Sequence, residues 1–463
     1  MSAAFRADAA WDTEVAALAE ALHAARVRVL ASLLDNGRHW AVVDAAARRA
    51  GVVHVPLPTF FTAAQRAHAL AAAGADALCA EPALAAPGAA LELGAVGLGL
   101  GWRRLPAVPV ALPAGTAKIT FTSGSTGTPK GVCLGGAAMD AVAAGIGEAT
   151  AALGIERHLS ALPYAVLLEN IAGLMAPLAR GATCIALPLA EVGLSGSSSF
   201  DPARLQAACE AHQPHSLILL PQMLRLWAGW LAAHGRRAPE SLKLVAVGGA
   251  AVGAPLLAAA RAVGLPAYEG YGLSEGVSVQ TLNLPGADRP GSAGRPLPHA
   301  RLRIAADGEI EVGGALHLGY LGSDEPVPAW WPSGDLGSVD ADGYLHVRGR
   351  KKQVLITAYG RNVSPEWVEC ALQASPAIAQ AVVFGDGEPQ LSAVLWPARA
   401  ELPDAALQAA VDAANATLPD YARIGAWQRS PHPFSVASGL ATANGRPRRD
   451  AIANLHLRSP DIA

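Results

Sequence analysis

The chain has 463 residues, of which 52% are apolar and 16% are charged, so it can bury a large core and is not of a disordered composition. This length exceeds one ordinary core and predicts two or three domains or subdomains. A net charge of −3 argues against a nucleic-acid partner, and five scattered cysteines without a Cys-x-x-Cys pair are typical of reduced cytoplasmic thiols.

The first eighty residues alternate between helical and strand-like patterns. Residues 14–34 have a helical pattern, residues 40–43 are strand-like, residues 44–49 form a short helix and residues 51–58 form a second strand. The alternation returns further along, in residues 163–187, 215–220, 243–247 and 255–263. Strands separated by helices predict a largely parallel α/β sheet.

The loop after the strand-like residues 118–121 has the most informative pattern. It combines hydroxyls, glycines and one cation, at Thr122, Ser123, Gly124, Ser125, Thr126, Gly127, Thr128 and Lys130. Glycines let backbone N–H groups turn toward an anion, while the hydroxyls and the lysine add donors and positive charge. The loop suits a nucleotide's phosphates, although it lacks the Gly-x4-Gly-Lys-Ser/Thr pattern of the common P-loop. By itself it also fits a solvated Ser/Gly hairpin loop.

The tract of residues 159–189 is the most apolar in the chain. It is interrupted by Pro163, Glu169 and Arg180, among others, which makes it a poor membrane span. Residues 1–15 lack the apolar core of a signal peptide. We therefore predict a cytoplasmic protein without an integral membrane segment.

A second Gly-containing segment, residues 268–275, places Tyr271 four residues before Glu275. An aromatic ring can stack on a purine, and a carboxylate is a natural ligand for Mg²⁺ that carries nucleotide phosphates. Residues 272–276 also fit the G-x-S-x-G elbow of serine hydrolases, with Asp335 and His346 following in the Ser…Asp…His order. An elbow needs a helix directly after its serine, whereas residues 277–282 have an extended pattern, so a hydrolase is the remote alternative.

Residues 295–347 contain short strands and Asp-Gly turns, which predict an antiparallel subdomain. Within it Asp335 follows a glycine on a turn, where a carboxylate can accept both hydroxyls of a ribose or form an Asx turn. The charged residues 348–352 mark the predicted boundary. They divide a large domain, residues 1–350, from a small α+β domain, residues 351–463.

Five segments, in this order, resemble those of the adenylate-forming (AMP-binding) superfamily, which includes acyl-CoA synthetases, aryl-CoA ligases and luciferases. Residues 122–131 are similar to its S-S-G-T-T-G-x-P-K-G phosphate loop, and residues 271–275 to Y-G-x-T-E. Residues 333–337 resemble T-G-D-x-G, residues 349–352 the hinge, and residues 443–449 P-x-G-K-x-x-R. The resemblance implies an α/β fold: a large layered N-terminal domain, with mostly parallel sheets and an antiparallel subdomain, and a small mobile α+β lid.

The resemblance also implies which residues hold ATP and Mg²⁺. Tyr271 packs on adenine, Asp335 binds the ribose, and Glu275 holds Mg²⁺ together with Thr126 of the loop. Further residues expected at the nucleotide are Thr122, Ser123, Gly124, Ser125, Gly127, Lys130, Gly249, Ala250, Gly272, Ser274 and Arg350. Alone, Gly249 and Ala250 also fit a plain turn.

In the lid, the resemblance assigns three residues. Lys352 absorbs the domain rotation, and Gly360 lines the pantetheine tunnel afterwards. The last motif of the family has a lysine that bridges the carboxylate and the α-phosphate, and here Arg446 replaces it. Ammonium and guanidinium groups are not interchangeable, but both are cationic, so we expect Arg446 to take this role. A slow first half-reaction and a protein that only binds are the alternatives.

The implied activity is the ATP-dependent conversion of a carboxylic acid into an acyl-adenylate, followed by transfer to a thiol. Apolar residues at 162–168 favour a fatty or other apolar acyl group, although a buried helix would show the same pattern. The expected acceptor is CoA. The alternatives are the phosphopantetheine of an acyl carrier protein and a nucleotide-binding protein with weakened catalysis.

Overall fold

The computed structural model describes residues 3–81, 89–91, 93–122, 130–196, 199–359, 361–442 and 445–456. Their α-helices are α1 Ala9–Ala24, α2 Arg38–Arg49, α3 Ala63–Ala73, α4 Gly136–Ala149, α5 Ala176–Ala179, α6 Pro202–His212, α7 Pro221–Ala233, α8 Ala254–Ala262, α9 Pro365–Gln373, α10 Asp404–Thr417 and α11 Arg449–His456. A π-helical segment, Glu169–Met175, precedes α5.

Their strands are β1 Ala4–Phe5, β2 Val29–Leu33, β3 Val53–Pro56, β4 Ala77–Ala80, β5 Ala89–Ala90, β6 Gly101–Arg104, β7 Thr116–Thr122, β8 Lys130–Gly135, β9 Arg157–Leu159, β10 Thr183–Ile185, β11 Leu194–Ser195, β12 Ser199–Phe200, β13 Ser216–Leu219, β14 Leu244–Val247, β15 Ala267–Leu273, β16 Ser278–Leu282, β17 Arg295–Pro296, β18 Ala300–Ile304, β19 Glu309–Gly314, β20 Gly319–Tyr320, β21 Trp331–Val339, β22 Leu345–Arg350, β23 Leu355–Ile356, β24 Asn362–Val363, β25 Ile378–Phe384, β26 Leu391–Pro397 and β27 Ile424–Arg429.

Two large sheets organise the N-terminal domain. The first has the order β1-β10-β9-β13-β14-β15-β16-β17, and its inner strands from β10 to β15 are parallel. The second has the order β20-β8-β7-β3-β2-β4-β6-β5, in which β7, β3, β2 and β4 are parallel neighbours. Strand β2 is buried at every position, as its apolar sequence requires in a sheet covered on both faces.

Two smaller sheets complete the layout. Strands β18, β19, β21 and β22 form the antiparallel subdomain predicted from the Asp-Gly turns. Strands β25, β26 and β27 form the sheet of the C-terminal part, against which α9 and α10 pack through one apolar cluster. The α/β architecture, with a large N-terminal and a small C-terminal domain, is confirmed. The exact boundary at residue 350 stays a prediction.

Two predicted elements are wrong. The helix expected over residues 14–34 ends at Ala24, because Arg26 adopts a φ of 53° and the apolar residues from Val29 onward pair with β3 and β4. Residues 40–43, expected as a strand, belong to α2. The four consecutive apolar residues suggested a strand, but α2 buries all of them against the core.

The π-helical segment lies between the two large sheets, because its first two residues bond to different sheets. Glu169 Oε1 lies 3.2 Å from Nε2 of His158 on β9 of the first sheet. The amide of Asn170 accepts a hydrogen bond from Lys118 on β7 of the second sheet and donates to Asp44 Oδ2 of α2 at 3.3 Å. Consecutive residues thus hold one helix against both sheets.

The cluster around Asp44 is fully inside the protein. Its carboxylate pairs with Lys118 Nζ at 2.8 Å and with His54 Nδ1 at 2.6 Å. Burial acts to raise the pKa of Asp44, but the neighbouring Lys118 and His54 outweigh it and hold that pKa below the ordinary value. Asp44 is therefore ionised, and the cluster is a paired structural network.

All five cysteines are free thiols, and Cys79, Cys133, Cys184 and Cys209 are buried. Among the residues described above, none of the helices combines the length and the apolar character needed to cross a bilayer.

Candidate active site

Nine of the predicted site residues line one large cavity of about 1620 Å³. Its floor is formed where the parallel pairing of the first sheet ends: Leu220 follows β13, Gly248 follows β14, and Gly270 follows the three residues of β15 that pair with β14. Ligands of open α/β sheets bind at the carboxyl ends of their strands, so the topology alone favours this edge.

Asp335 lies behind one side of the cavity and bonds two residues that line it, Tyr271 and Arg350. It is 6% exposed, accepts a hydrogen bond from the Tyr271 hydroxyl at 2.8 Å, and pairs with Arg350 Nε at 3.0 Å. Burial raises the pKa of Asp335 above its ordinary value, while Arg350 and the Tyr271 hydroxyl oppose this effect. Burial and the nearby Asp335 raise the pKa of Tyr271, which therefore remains a phenol and a hydrogen-bond donor. Because a carboxylate has about four acceptor positions, Asp335 can still accept from a ligand diol.

The side chain of Glu275 has a hydrogen-bond partner that the sequence motifs do not contain, Tyr320. Its Oε1 accepts a hydrogen bond from the Tyr320 hydroxyl at 2.6 Å, and Lys130 Nζ lies 5.6 Å from the centre of the Tyr320 ring. Burial, together with Glu275, raises the pKa of Tyr320, so the phenol keeps its proton. The tyrosine thus lies between the cation of the loop and the carboxylate of the second motif.

Glu275 fits a magnesium ion that is mainly coordinated by phosphates. It offers a carboxylate at the cavity wall, and no group of three metal-ligating side chains is found in the described part of the chain. Mg²⁺ commonly binds one or two carboxylates together with substrate phosphates, so a single protein carboxylate is sufficient.

Arg446 reaches the cavity from the C-terminal domain. Its Nη2 donates to the carbonyl oxygen of Gly249 at 3.2 Å. Surrounding protein lowers the pKa of Arg446, as does Arg350, whereas Asp335 and Glu275 raise it; a guanidinium nevertheless stays charged in proteins. The structure thus brings this cation to the same cavity as the carboxylates.

The remaining predicted residues fall into three groups. Gly272, Ser274 and Lys352 line the cavity together with Gly249. Ala250 is exposed on the following loop and is not among the described residues that line the cavity, so its assignment to the adenine pocket stays a prediction. The predicted Ser123, Gly124, Ser125, Thr126, Gly127 and Gly360 lie outside the described residues.

The two residues that flank the phosphate loop are described, whereas residues 123–129 lie outside the part of the chain that the structure describes. Thr122 ends β7 and Lys130 begins β8, and the two residues pair across the antiparallel ladder. Thr120, Phe121 and Lys130 line the cavity. The two strands that flank the loop therefore both contribute to the cavity wall.

The hydrolase alternative is contradicted by the local structure. Ser274 is followed by a turn and by strand β16, where a nucleophile elbow needs a helix. Asp335 bonds Tyr271 and Arg350, while His346 Nε2 lies 2.9 Å from Asp340. No Ser-His-Asp relay is formed by these three predicted residues.

The cavity continues past the strand ends into an apolar arm. Its wall is formed in part by the segment before the π-helical turn, at Leu162, Pro163, Ala165, Val166, Leu167 and Leu168. Two polar residues, His158 on β9 and Ser216 on β13, also line this arm. They escaped prediction because each lies in a short, largely buried strand and belongs to no motif, a pattern typical of a satisfied core residue.

Comparison with known proteins assigns the chain to a class. The profile of the AMP-binding enzyme family matches residues 9–320, and that of the C-terminal domain of AMP-binding enzymes matches residues 352–453. The first match covers more than half of the chain, which therefore belongs to the AMP-binding enzyme family.

Individual relatives differ in the acid their names contain. A feruloyl-CoA synthase of Amycolatopsis is 32% identical over 411 residues, which cover 81% of this chain and 79% of that protein. A long-chain-fatty-acid–CoA ligase of Mycobacterium bovis is 44% identical over 157 residues, 32% of this chain and 26% of that protein. The match to the fatty-acid ligase thus spans about a quarter of that relative's length.

Solved structures support the fold. The o-succinylbenzoate CoA synthetase of Bacillus subtilis, in complex with its acyl-adenylate, gives a TM-score of 0.76 at 23% identity, covering 97% of this chain and 92% of that one. An anthranilate CoA ligase in complex with anthranoyl-AMP gives 0.80 at 19% identity, covering 96% and 91%. At these identities the likeness concerns the fold alone.

Proposed function

We propose that this protein is an ATP-dependent acid–thiol ligase, which activates a carboxylic acid as an acyl-adenylate and transfers the acyl group to a thiol, in the first place that of CoA. One observation supports this most: Tyr271, Glu275, Lys130 and Arg446 line a single cavity that extends into an apolar arm, and Asp335 bonds the Tyr271 hydroxyl beside it. Family membership and the CoA ligases among the relatives support the same reaction class.

In the proposed first step, a carboxylate oxygen bonds to the α-phosphorus of ATP, and the bond from that phosphorus to the bridging oxygen of the β-phosphate breaks. Both reactants are anionic, so neutralising charge and fixing geometry are the main tasks of the protein. Arg446 and Lys130 supply the positive charge. Asp335 holds the ribose, with Tyr271 against the base.

Glu275 is proposed to hold Mg²⁺, which on binding neutralises phosphate charge. The Tyr320 hydroxyl at 2.6 Å fixes one carboxylate oxygen and leaves the other to face the ion. Replacing Glu275 by Gln is expected to raise the Mg²⁺ concentration for half-maximal rate about tenfold, since roughly 1.4 kcal/mol of charge interaction is lost. The matched control is Glu240→Gln. Glu240 is exposed and is not among the residues that line the cavity, so its replacement is expected to leave that concentration unchanged.

For the second step, the lid is proposed to turn about Lys352, which withdraws Arg446 and presents Gly360 to the thiol. The thiolate sulfur bonds to the acyl carbon, and AMP leaves with the mixed-anhydride oxygen. The predicted boundary near residue 350 puts the hinge directly after β22, whose Arg350 pairs with Asp335.

Release of pyrophosphate from ATP and Mg²⁺, measured with a panel of fatty and aryl acids, tests the first step. Stimulation by at least one acid is expected. Product formation with CoA, compared with a phosphopantetheinylated carrier protein, then decides the acceptor. Turnover that requires the carrier protein and ignores CoA would overturn the CoA assignment.

A second candidate function is nucleotide binding with weakened catalysis. The observation that favours it is Arg446 in the place of the usual lysine, since a planar guanidinium cannot reproduce the geometry of an ammonium. It predicts measurable ATP binding without pyrophosphate release for every acid of the panel. That combination would refute the ligase proposal.

A further inference from the structure

The inner end of the apolar arm carries two polar side chains, those of His158 and Ser216, which together form the polar row. His158, Ser216 and Leu244 lie opposite one another on three neighbouring parallel strands, and all three line the cavity. His158 is 2% exposed and Ser216 is 4% exposed. A group bound beside them would therefore be separated from bulk water. An unmatched hydrogen bond is most costly in such a buried place.

This polar row is well separated from the nucleotide end of the cavity. Gly248, at the nucleotide end, follows Leu244 by four residues along β14. At about 3.3 Å per residue the row lies roughly 13 Å deeper in the sheet. Between the two ends, Ile218 and Ala246 offer only apolar atoms to the cavity. The arm thus suits an extended acyl chain whose far end arrives at His158 and Ser216.

A hydrogen-bonded chain fixes the orientation of this row. The Ser216 hydroxyl lies 2.9 Å from His158 Nδ1, and His158 Nε2 lies 3.2 Å from Glu169 Oε1. Glu169 is fully buried, and among the described residues no donor bonds its Oε2. Gly173, on the next turn of the π-helical segment, leaves the space for this pair: a Cβ there would lie 2.8 Å from His158 Nε2.

In either protonation state of Glu169, the Ser216 hydroxyl can make one more hydrogen bond, to a ligand. If Glu169 is ionised, Nε2–H donates to it, Nδ1 accepts from the serine, and the serine oxygen can accept from a ligand. If Glu169 is protonated, it donates to Nε2, Nδ1–H donates to the serine oxygen, and the serine O–H can donate. Burial raises the pKa of Glu169, while His158 and, more weakly, Ser160 lower it. A ligand hydroxyl, which both donates and accepts, matches both states.

We propose that the apolar arm selects carboxylic acids with a hydroxyl group at the end far from the carboxyl, with Ser216 as the contact residue and His158 and Glu169 as positioning residues. This inference rests on the proposed function, because it concerns the acid bound for activation. An acid with an apolar end would leave the buried Ser216 function unmatched, at a cost of about one hydrogen bond.

The test compares matched acids on the full chain. Straight-chain acids from octanoate to hexadecanoate are paired with their ω-hydroxy counterparts, and cinnamate is paired with p-coumarate. Pyrophosphate release gives kcat/KM for each, and isothermal titration gives the affinity without need for turnover. At the best-fitting length, the hydroxy acid is expected to be favoured about tenfold, the equivalent of one hydrogen bond.

Three variants separate contact, positioning and general packing. Ser216→Ala is expected to abolish the preference. Glu169→Gln is expected to weaken it by raising KM for the hydroxy acid more than KM for the unsubstituted acid. Ile218→Val, on the same strand and the same cavity wall, is the control and is expected to affect both acids of a pair equally.

The outcomes separate this inference from the proposed function. Turnover of all acids without a hydroxyl preference at any length would overturn the inference and leave the ligase intact. Absence of turnover would overturn the ligase proposal, and equal affinities within every pair would then overturn the inference as well. Should Ser216→Ala fail to fold, the preference of the unmodified chain decides by itself.

Discussion

Removing the guanidinium of Arg446 is expected to separate the two half-reactions. In the structure Arg446 crosses from the lid to the Gly249 carbonyl at 3.2 Å, with Asp335 and Glu275 near enough to affect its pKa. A hydrogen bond from a charged donor to an anion contributes about 1.5–3 kcal/mol, which corresponds to about 10- to 150-fold in rate. Arg446→Ala should therefore slow ATP–pyrophosphate exchange by that factor. Thioester formation from a synthetic acyl-adenylate should remain within about twofold, because Arg446 leaves the site in that step.

The matched control is Arg423→Ala. Arg423 is an exposed arginine of the same domain and also donates one hydrogen bond to a backbone carbonyl, that of Leu418 at 3.1 Å. It should change neither half-reaction. Arg446→Lys keeps the charge and should retain most of the exchange activity. Unchanged exchange in Arg446→Ala, or an equal loss in both half-reactions, would refute the assignment of Arg446.

Three further changes have directions set by the structure. Asp335→Asn should raise the KM for ATP at least about tenfold with a smaller change in kcat, since the carboxylate that pairs with Arg350 is lost; an unchanged KM would contradict ribose binding there. Burial raises the pKa of Glu269 to about 7 from 4.5, so the folded state holds this proton longer, and stability should decline between about pH 4.5 and pH 7 by up to about 3 kcal/mol. Urea unfolding of Glu269→Gln should lack that decline, and an identical pH profile would exclude it. Gly173→Ala should destabilise by about 1–3 kcal/mol through overlap with Glu169 and His158, whereas Gly229→Ala, with open space around its Cβ, should stabilise by about 0.5–1 kcal/mol; equal midpoints in urea would refute the packing argument.

The sequence predicted the parts of the site that lie in contiguous motifs. Tyr271 and Glu275 share one segment, and Asp335 directly follows a glycine, so their residue types and spacing already indicate the chemistry. Their hydrogen bonds were not predictable. Tyr320 reaches Glu275 because the two-residue strand β20 pairs with β8, and nothing in the sequence around Tyr320 specifies that pairing.

The prediction of secondary structure failed where apolar residues are buried on all sides. Residues 40–43 look like a strand because four apolar residues in a row fit a buried strand as well as a buried helix. The neighbouring Ala45, Ala46 and Ala47 favour helix, and tertiary burial of α2 decides the outcome. Likewise, the helix expected to continue to residue 34 ends early because Arg26 adopts a left-handed backbone conformation. Hydrophobic periodicity carries no signal for such a residue, so the prediction missed the helix end.

The position of the π-helical segment limits how this enzyme can be redesigned. Since Glu169 bonds His158 on one sheet and Asn170 bonds Lys118 and Asp44 beside the other, the segment cannot be exchanged for that of a relative as an independent cassette. A grafted segment would leave the buried partners of Glu169 and Asn170 on both sheets without their hydrogen bonds. Chimeras that alter the acid accepted would have to carry the anchoring residues of both sheets along with the seven-residue segment.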